Sequence, residues 1–136
     1  MRKNGPIIVI DDDTDDLMLI KEALVNIKLP NEIRLFENGA EAVSLLASGD
    51  IDPFLIVSDI NMPKFNGFQY QEQIMQISGF AEKRVPYIFL TTSSSTAASC
   101  FTGVSEGFFI KPNNFEVLEN LLHTIVTYWS NFNAIN

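Results

Sequence analysis

The chain has one cysteine, Cys100, one histidine, His123, and one tryptophan, Trp129. A single thiol excludes an internal disulfide and agrees with a reducing compartment, so the expected location is cytoplasmic. Cys100 reads as a small packing residue, and His123, on a helical stretch, as a surface or boundary residue. Basic residues are scarce, 9 against 17 acidic, for a net charge of −8. That deficit argues against nucleic acid or an anionic membrane as a partner. No apolar run approaches the length of a membrane span, and the start "MRKNGPIIVI" has too short an apolar stretch for a signal peptide. Internal repeats and low-complexity linkers are absent too, apart from the short run Ser93, Ser94 and Ser95.

Core material, by contrast, is plentiful. Apolar residues make up 46% of 136 positions and include 11 Phe, enough for one domain and too little for two. The expectation is a single domain over residues 1–136 with no effector domain. Short apolar segments at Ile7–Ile10, Glu32–Phe36, Phe54–Ser58, Tyr87–Thr91 and Phe108–Ile110 read as strands. "IIVI", "FLIV" and "YIFL" are apolar without alternation, as strands covered on both faces should be. Between them, apolar residues recur at helical spacing: Leu17, Ile20, Leu24 and Ile27; Ala42, Leu45 and Leu46; Phe68, Ile74 and Ile77. A short, polar fourth helix is expected around Thr96–Thr102. A fifth, starting near Asn114, carries Leu118, Leu121, Leu122, Ile125, Val126 and Trp129 on one broad face. Strands alternating with helices predict βαβ crossovers and an open, doubly wound α/β fold.

In such sheets, functional groups gather beyond the carboxyl ends of the strands. The residues there are Asp11 and Asp12, Asp59, Thr91 and Lys111. Asp11, Asp12, Asp13, Asp15 and Asp16 crowd carboxylates behind a buried strand, which is costly unless a cation offsets them. Hard oxygen ligands with room for water suit Mg²⁺. A phosphoryl group on Asp59 would then be held by the metal, the Thr91 hydroxyl and the Lys111 ammonium. Asp13, Asp15 and Asp16 read mainly as favourable charges at a helix N-terminus, with Thr14 or Asp13 as its cap.

The set "VIDDD", "IVSDINMPKFNG", "IFLTT" and "FFIKP" resembles the receiver domain of two-component response regulators, over nearly the whole chain. The resemblance implies a flavodoxin-like sheet of order 2-1-3-4-5, with helices on both faces. It implies that Asp11 and Asp12 are the acidic pair, Asp59 the phosphoacceptor, and Asn61 the donor of a backbone carbonyl to Mg²⁺. Pro63 and Gly67 belong to the following loop, Thr91 is the switch hydroxyl, and Phe108 the switch aromatic. Lys111 is the active-site lysine before Pro112, in a bond that is often cis in the family. The implied protein signals and is not an enzyme, catalysing only its own phosphorylation and dephosphorylation. Its implied partners are a sensor histidine kinase or phosphotransfer protein and an unknown downstream protein. "LTTSSS" and "TYWSNF" are most similar to single-domain regulators associated with phytochrome-type kinases, although the stretch from Thr91 to Lys111 is shorter than usual in them.

Rival readings fail on particular residues. A calcium-binding EF-hand would need Gly where Asp16 stands, and the segment follows a strand. A haloacid-dehalogenase-like Mg²⁺-dependent phosphatase would need Thr at Asp15. A flavodoxin would need a phosphate cradle where the acids stand. A degenerate receiver would have lost some of the site, and here every position is filled. Finally, Tyr128, Trp129 and Phe132 extend beyond the stretch one sheet face can cover, which predicts an apolar patch and a homodimer through the fifth helix.

Overall fold

The computed structural model describes residues 2–92 and 107–132. Strands β1 (Ile7–Ile10), β2 (Ile33–Phe36), β3 (Leu55–Ser58), β4 (Tyr87–Thr91) and β5 (Gly107–Ile110) form a 5-stranded sheet in the order β2-β1-β3-β4-β5. Every pairing is parallel. Helices α1 (Thr14–Asn26), α2 (Gly39–Ala47) and α3 (Gly67–Met75) and a C-terminal helix (Phe115–Phe132) cover it. The expected fold is present, with strand limits moved by one residue in β2, β3 and β5. The expected helix at Thr96–Thr102, Ser93–Ser95 and Cys100 lie outside the described residues.

The period of two along each strand divides the core. Ile7, Val9, Leu55, Val57, Ile88 and Leu90 face α1 and the C-terminal helix; Ile8, Ile10, Ile56, Tyr87 and Phe89 face the α2 and α3 side. This two-sided cover is why β1, β3 and β4 are buried at every position. The edge strands β2 and β5 are only partly buried. Each helix start is satisfied by a side chain: Asp13 for α1, Asn38 for α2, Asn66 with Gln69 in a capping box for α3, and Asn114 for the C-terminal helix. Ile77 lies past the end of α3, whose C-cap is Gln76.

Two expectations need correction. Trp129 is not on a surface patch: it is 9% exposed and packs into the core with Ile125 and Val126. One helical turn places it on the same inward stripe as those residues, and burying an indole gains more than exposing it. Tyr128 is the exposed ring of the pair, edge-on to Trp129 at 5.0 Å; the Phe132 side chain lies outside the described residues. The second is Lys111–Pro112, which is trans, as are all described peptide bonds; trans remains the favoured state of an X–Pro bond. Among the described residues no helix is long and apolar enough to cross a membrane.

The loop after β3 is held by close backbone approach. Gly67 N–H donates to the Ile60 carbonyl at 2.9 Å, and a Cβ on Gly67 would stand 2.1 Å from the Asp59 carbonyl oxygen. Backbone cannot yield as a flexible side chain can. Gly67→Ala should therefore lower stability by about 2 kcal/mol, the usual scale for overpacking. Urea denaturation checks this, and an unchanged midpoint would show that the loop has room to move.

Candidate functional site

The parallel register decides what meets at the rim. Ile10 stands beside Phe36 and Ser58, Ser58 beside Phe89, and Thr91 beside Ile110. The next residues of β1 and β3, Asp11 and Asp59, therefore emerge side by side, and Lys111 follows β5 two residues further along the register. Backbone bonds extend the ladders past the strands: Asp11 N–H to the Phe36 carbonyl, Asp59 N–H to Ile10, and Lys111 N–H to Thr91 at 2.7 Å. Residues far apart in sequence are thus held by main chain, the stiffest support available.

Asp11 is 1% exposed, and both of its carboxylate oxygens are occupied. One accepts the Asp13 N–H at 3.0 Å, the other the Lys111 ammonium at 2.7 Å. Lys111 reaches two further carboxylates, Asp16 at 2.9 Å and Asp59 at 3.8 Å. Asp59 accepts the Ile60 N–H at 2.8 Å and a hydrogen bond from the buried Thr91 hydroxyl. Asp11, Asp12 and Asp59 each present an oxygen within 4.8 Å of the others, with Asp12 on the exposed side. Asn61 lies on the exposed loop beyond Asp59.

The electrostatics follow from this crowding. Burial pushes Asp11 up to about 6, against the opposing pull of Lys111 and the Asp13 N–H. Asp59 is raised for the same reason, with Lys111 and the Ile60 N–H again opposing. Burial alone would lower Lys111, but its hydrogen bonds to Asp11 and Asp16 outweigh that and raise it. Three carboxylates, Asp11, Asp16 and Asp59, thus share the Lys111 ammonium, and Asp12 adds a fourth beside Asp11 and Asp59. The site has a deficit of positive charge and only hard oxygen donors, which fits Mg²⁺. Asp11, Asp12 and Asp59 are the residues that would hold it.

All five rim residues named from the sequence meet here. Phe108 stands further back on β5, half-buried, its ring centroid 6.2 Å from that of Phe89 in the core beneath α3. Two features escaped sequence reasoning. Asp16, read as a helix-terminal charge, pairs directly with Lys111. The other is a buried support beneath Asp59. The Ser58 hydroxyl donates to the Asp59 carbonyl at 2.9 Å, and the buried Tyr87 phenol hydrogen-bonds Ser58. A tyrosine opening a fully buried strand was the available signal, because a buried phenol needs a partner. The EF-hand rival fails structurally as well, since α1 begins at Thr14, inside the loop it would require.

Comparison with known proteins agrees with this geometry. Residues 7–123 match the family model of the response regulator receiver domain. The chain is 28% identical to response regulator Rcp1 of Synechocystis, over 90% of this chain and 87% of that protein. It spans only 15 to 30% of several longer relatives, among them ARR14 of Arabidopsis thaliana. The phosphorylated cyanobacterial phytochrome response regulator RcpA has a similar structure: TM-score 0.75, 26% identity, covering 93% of this chain and 94% of that one. So does TrrA of Thermotoga maritima, crystallised with Mg²⁺ and BeF (TM-score 0.70, 27% identity, 89% of this chain and 98% of that one). With strand order, rim residues and family match in agreement, this chain belongs to the response regulator receiver domains of two-component signalling.

Proposed function

We propose that Asp59 accepts a phosphoryl group from a phosphohistidine on a sensor kinase or phosphotransfer protein, and that the adduct changes the surface offered to a downstream partner. The observation that carries this reading is the convergence of Asp11, Asp12, Thr91 and Lys111 on one carboxylate at the rim. An Asp59 oxygen attacks phosphorus in line; the new O–P bond forms as the P–N bond breaks, and the electron pair leaves with the imidazole nitrogen. Lys111, 3.8 Å from Asp59, neutralises charge on the transferred oxygens, and the Thr91 hydroxyl donates to one of them. When bound, Mg²⁺ supplies charge neutralisation and orientation of the phosphoryl group. The complex of TrrA with Mg²⁺ and BeF supports that assignment for a relative of similar fold.

The switch follows from the same contacts. Lys111 directly follows β5, which carries Phe108, and Thr91 pairs with Ile110 of that strand. Movement of Thr91 and Lys111 toward the adduct shifts the space open to the Phe108 ring, which biases the β5 surface between two states. The adduct is lost by slow hydrolysis, so the protein acts as a cytoplasmic timed signal and not as an enzyme with turnover. A symmetric homodimer through the C-terminal helix belongs to the same proposal. Its support is the exposed Ile110, Val117 and Tyr128, since Trp129 is committed to the core.

Acetyl phosphate with Mg²⁺ should give one base-labile adduct, absent from Asp59→Asn and retained by Asp13→Asn. Label persisting in the Asp59 variant would misplace the nucleophile. For the dimer, sedimentation of the phosphorylated protein should show two copies, and Tyr128→Ala should return it to a monomer. A phosphorylated wild type that sediments as one copy would exclude the dimer.

The raised Asp11 has a consequence for stability. Its neutral form stabilises the metal-free fold fully below its ordinary value of 3.8, and that contribution is lost as pH rises through about 6. In EDTA at pH 7, Asp11→Asn should therefore unfold later than wild type, by on the order of 1 kcal/mol, with the gap closing at low pH. Added Mg²⁺ should stabilise wild type and leave the variant unmoved. A wild type more stable than the variant in EDTA at pH 7 would reverse the sign and sink this account.

A further inference from the structure

Among the described residues Lys111 is the ammonium paired with Asp11, Asp16 and Asp59, and in this structure it is oriented away from the carboxylate it is proposed to serve. Its nitrogen lies 2.7 Å from Asp11 and 2.9 Å from Asp16, yet 3.8 Å from Asp59. The first two are charge-assisted hydrogen bonds; the third is an ion pair beyond hydrogen-bond range. Asp11 is tied in place by the Asp13 N–H. Asp16 has no such duty: it sits in the first turn of α1, where Asp13 already caps the helix through the Asp15 and Asp16 amides. Its side chain is 31% exposed while that of Lys111 is 9% exposed. The contact therefore spans the sheet rim and the first turn of α1, joining residues 95 positions apart.

We infer that Asp16 is a positioning residue, which holds Lys111 off Asp59 in the resting protein and competes with the phosphoryl group for its ammonium. This rests on the reading of Asp59 as phosphoacceptor. An ammonium has three donors, and Asp11 and Asp16 take two of them. To meet phosphoryl oxygens on Asp59 the side chain must turn toward them, and the partly solvated Asp16 bond is the one that gives most easily. The Asp16 carboxylate is then left to water, a small cost at its exposure. Strengthening or weakening this one contact sets how readily the site is phosphorylated, without touching Asp59 or the residues that would hold Mg²⁺. It also couples α1 to the state of the site, because the same carboxylate belongs to that helix's first turn.

The test compares Asp16→Asn with Asp15→Asn, the same charge change one residue away on an exposed side chain that does not pair with Lys111. The first readout is the ¹⁵N NMR signal of the Lys111 ammonium, visible when hydrogen bonds slow its exchange with water. It should weaken or vanish in Asp16→Asn, persist in Asp15→Asn, and return in Asp16→Glu. The second is the rate of labelling by acetyl phosphate with Mg²⁺, which should rise about twofold to fivefold in Asp16→Asn, the scale of one partly exposed ion pair. An unchanged ammonium signal would overturn the proposal, as would equal rate increases in both Asn variants, which would mean general charge repulsion. A slower rate in Asp16→Asn would overturn the competition and leave Asp16 as a holder of Lys111 only. If wild type takes no label at all, the phosphoacceptor reading fails instead, and the ammonium signal still decides whether Asp16 holds Lys111.

Discussion

The structure turns on a buried ion pair, Lys111 with Asp11. A parallel sheet with helices on both faces leaves its strand ends shielded from water, and this chain puts carboxylates there. A buried pair of this kind gives little net stability, because desolvation of both partners offsets their attraction. Its value is positional. Lys111 meets Asp11 although β3 and β4 lie between their strands, and although β5 runs two residues past the level at which β1 ends. The site therefore reports on the register of the whole sheet.

The same economy of charge explains the rim's electrostatics. One ammonium among four carboxylates leaves Asp11 and Asp59 raised by burial, and leaves the site short of positive charge. A divalent cation would relieve that crowding. Beneath the site the support is neutral: Ser58 holds the Asp59 carbonyl, Tyr87 hydrogen-bonds Ser58, and Gly67 lets α3 approach that carbonyl closely. A charged rim thus rests on a neutral, hydrogen-bonded base.

Much of this was legible beforehand. The continuous apolar strands pointed to a sheet covered on both sides, because such cover buries every side chain of "IIVI" and "FLIV". The polar residues ending those strands then declared the rim, because topology places strand ends together. Less legible were contacts that depend on side-chain direction. Asp13 and Asp16 both look like helix-start acids; one caps α1 and the other turns to Lys111. Trp129 and Tyr128 are neighbours at the end of an apolar helix, and the rotation of that helix against the sheet decided which ring entered the core.

What the sequence by itself determined, then, was periodicity and order: which segments are strands, which helices, and which chemical groups end each strand. These are local properties, set by hydrophobic spacing and backbone preference within a few residues. What only the tertiary structure decided was partnership. Lys111 is 100 positions from Asp11 and 95 from Asp16, and Tyr87 reaches Ser58 from the neighbouring strand. Such pairings are fixed by strand register and by the angle at which each helix meets the sheet. Both are set by packing of the whole core, which no short stretch of the sequence contains.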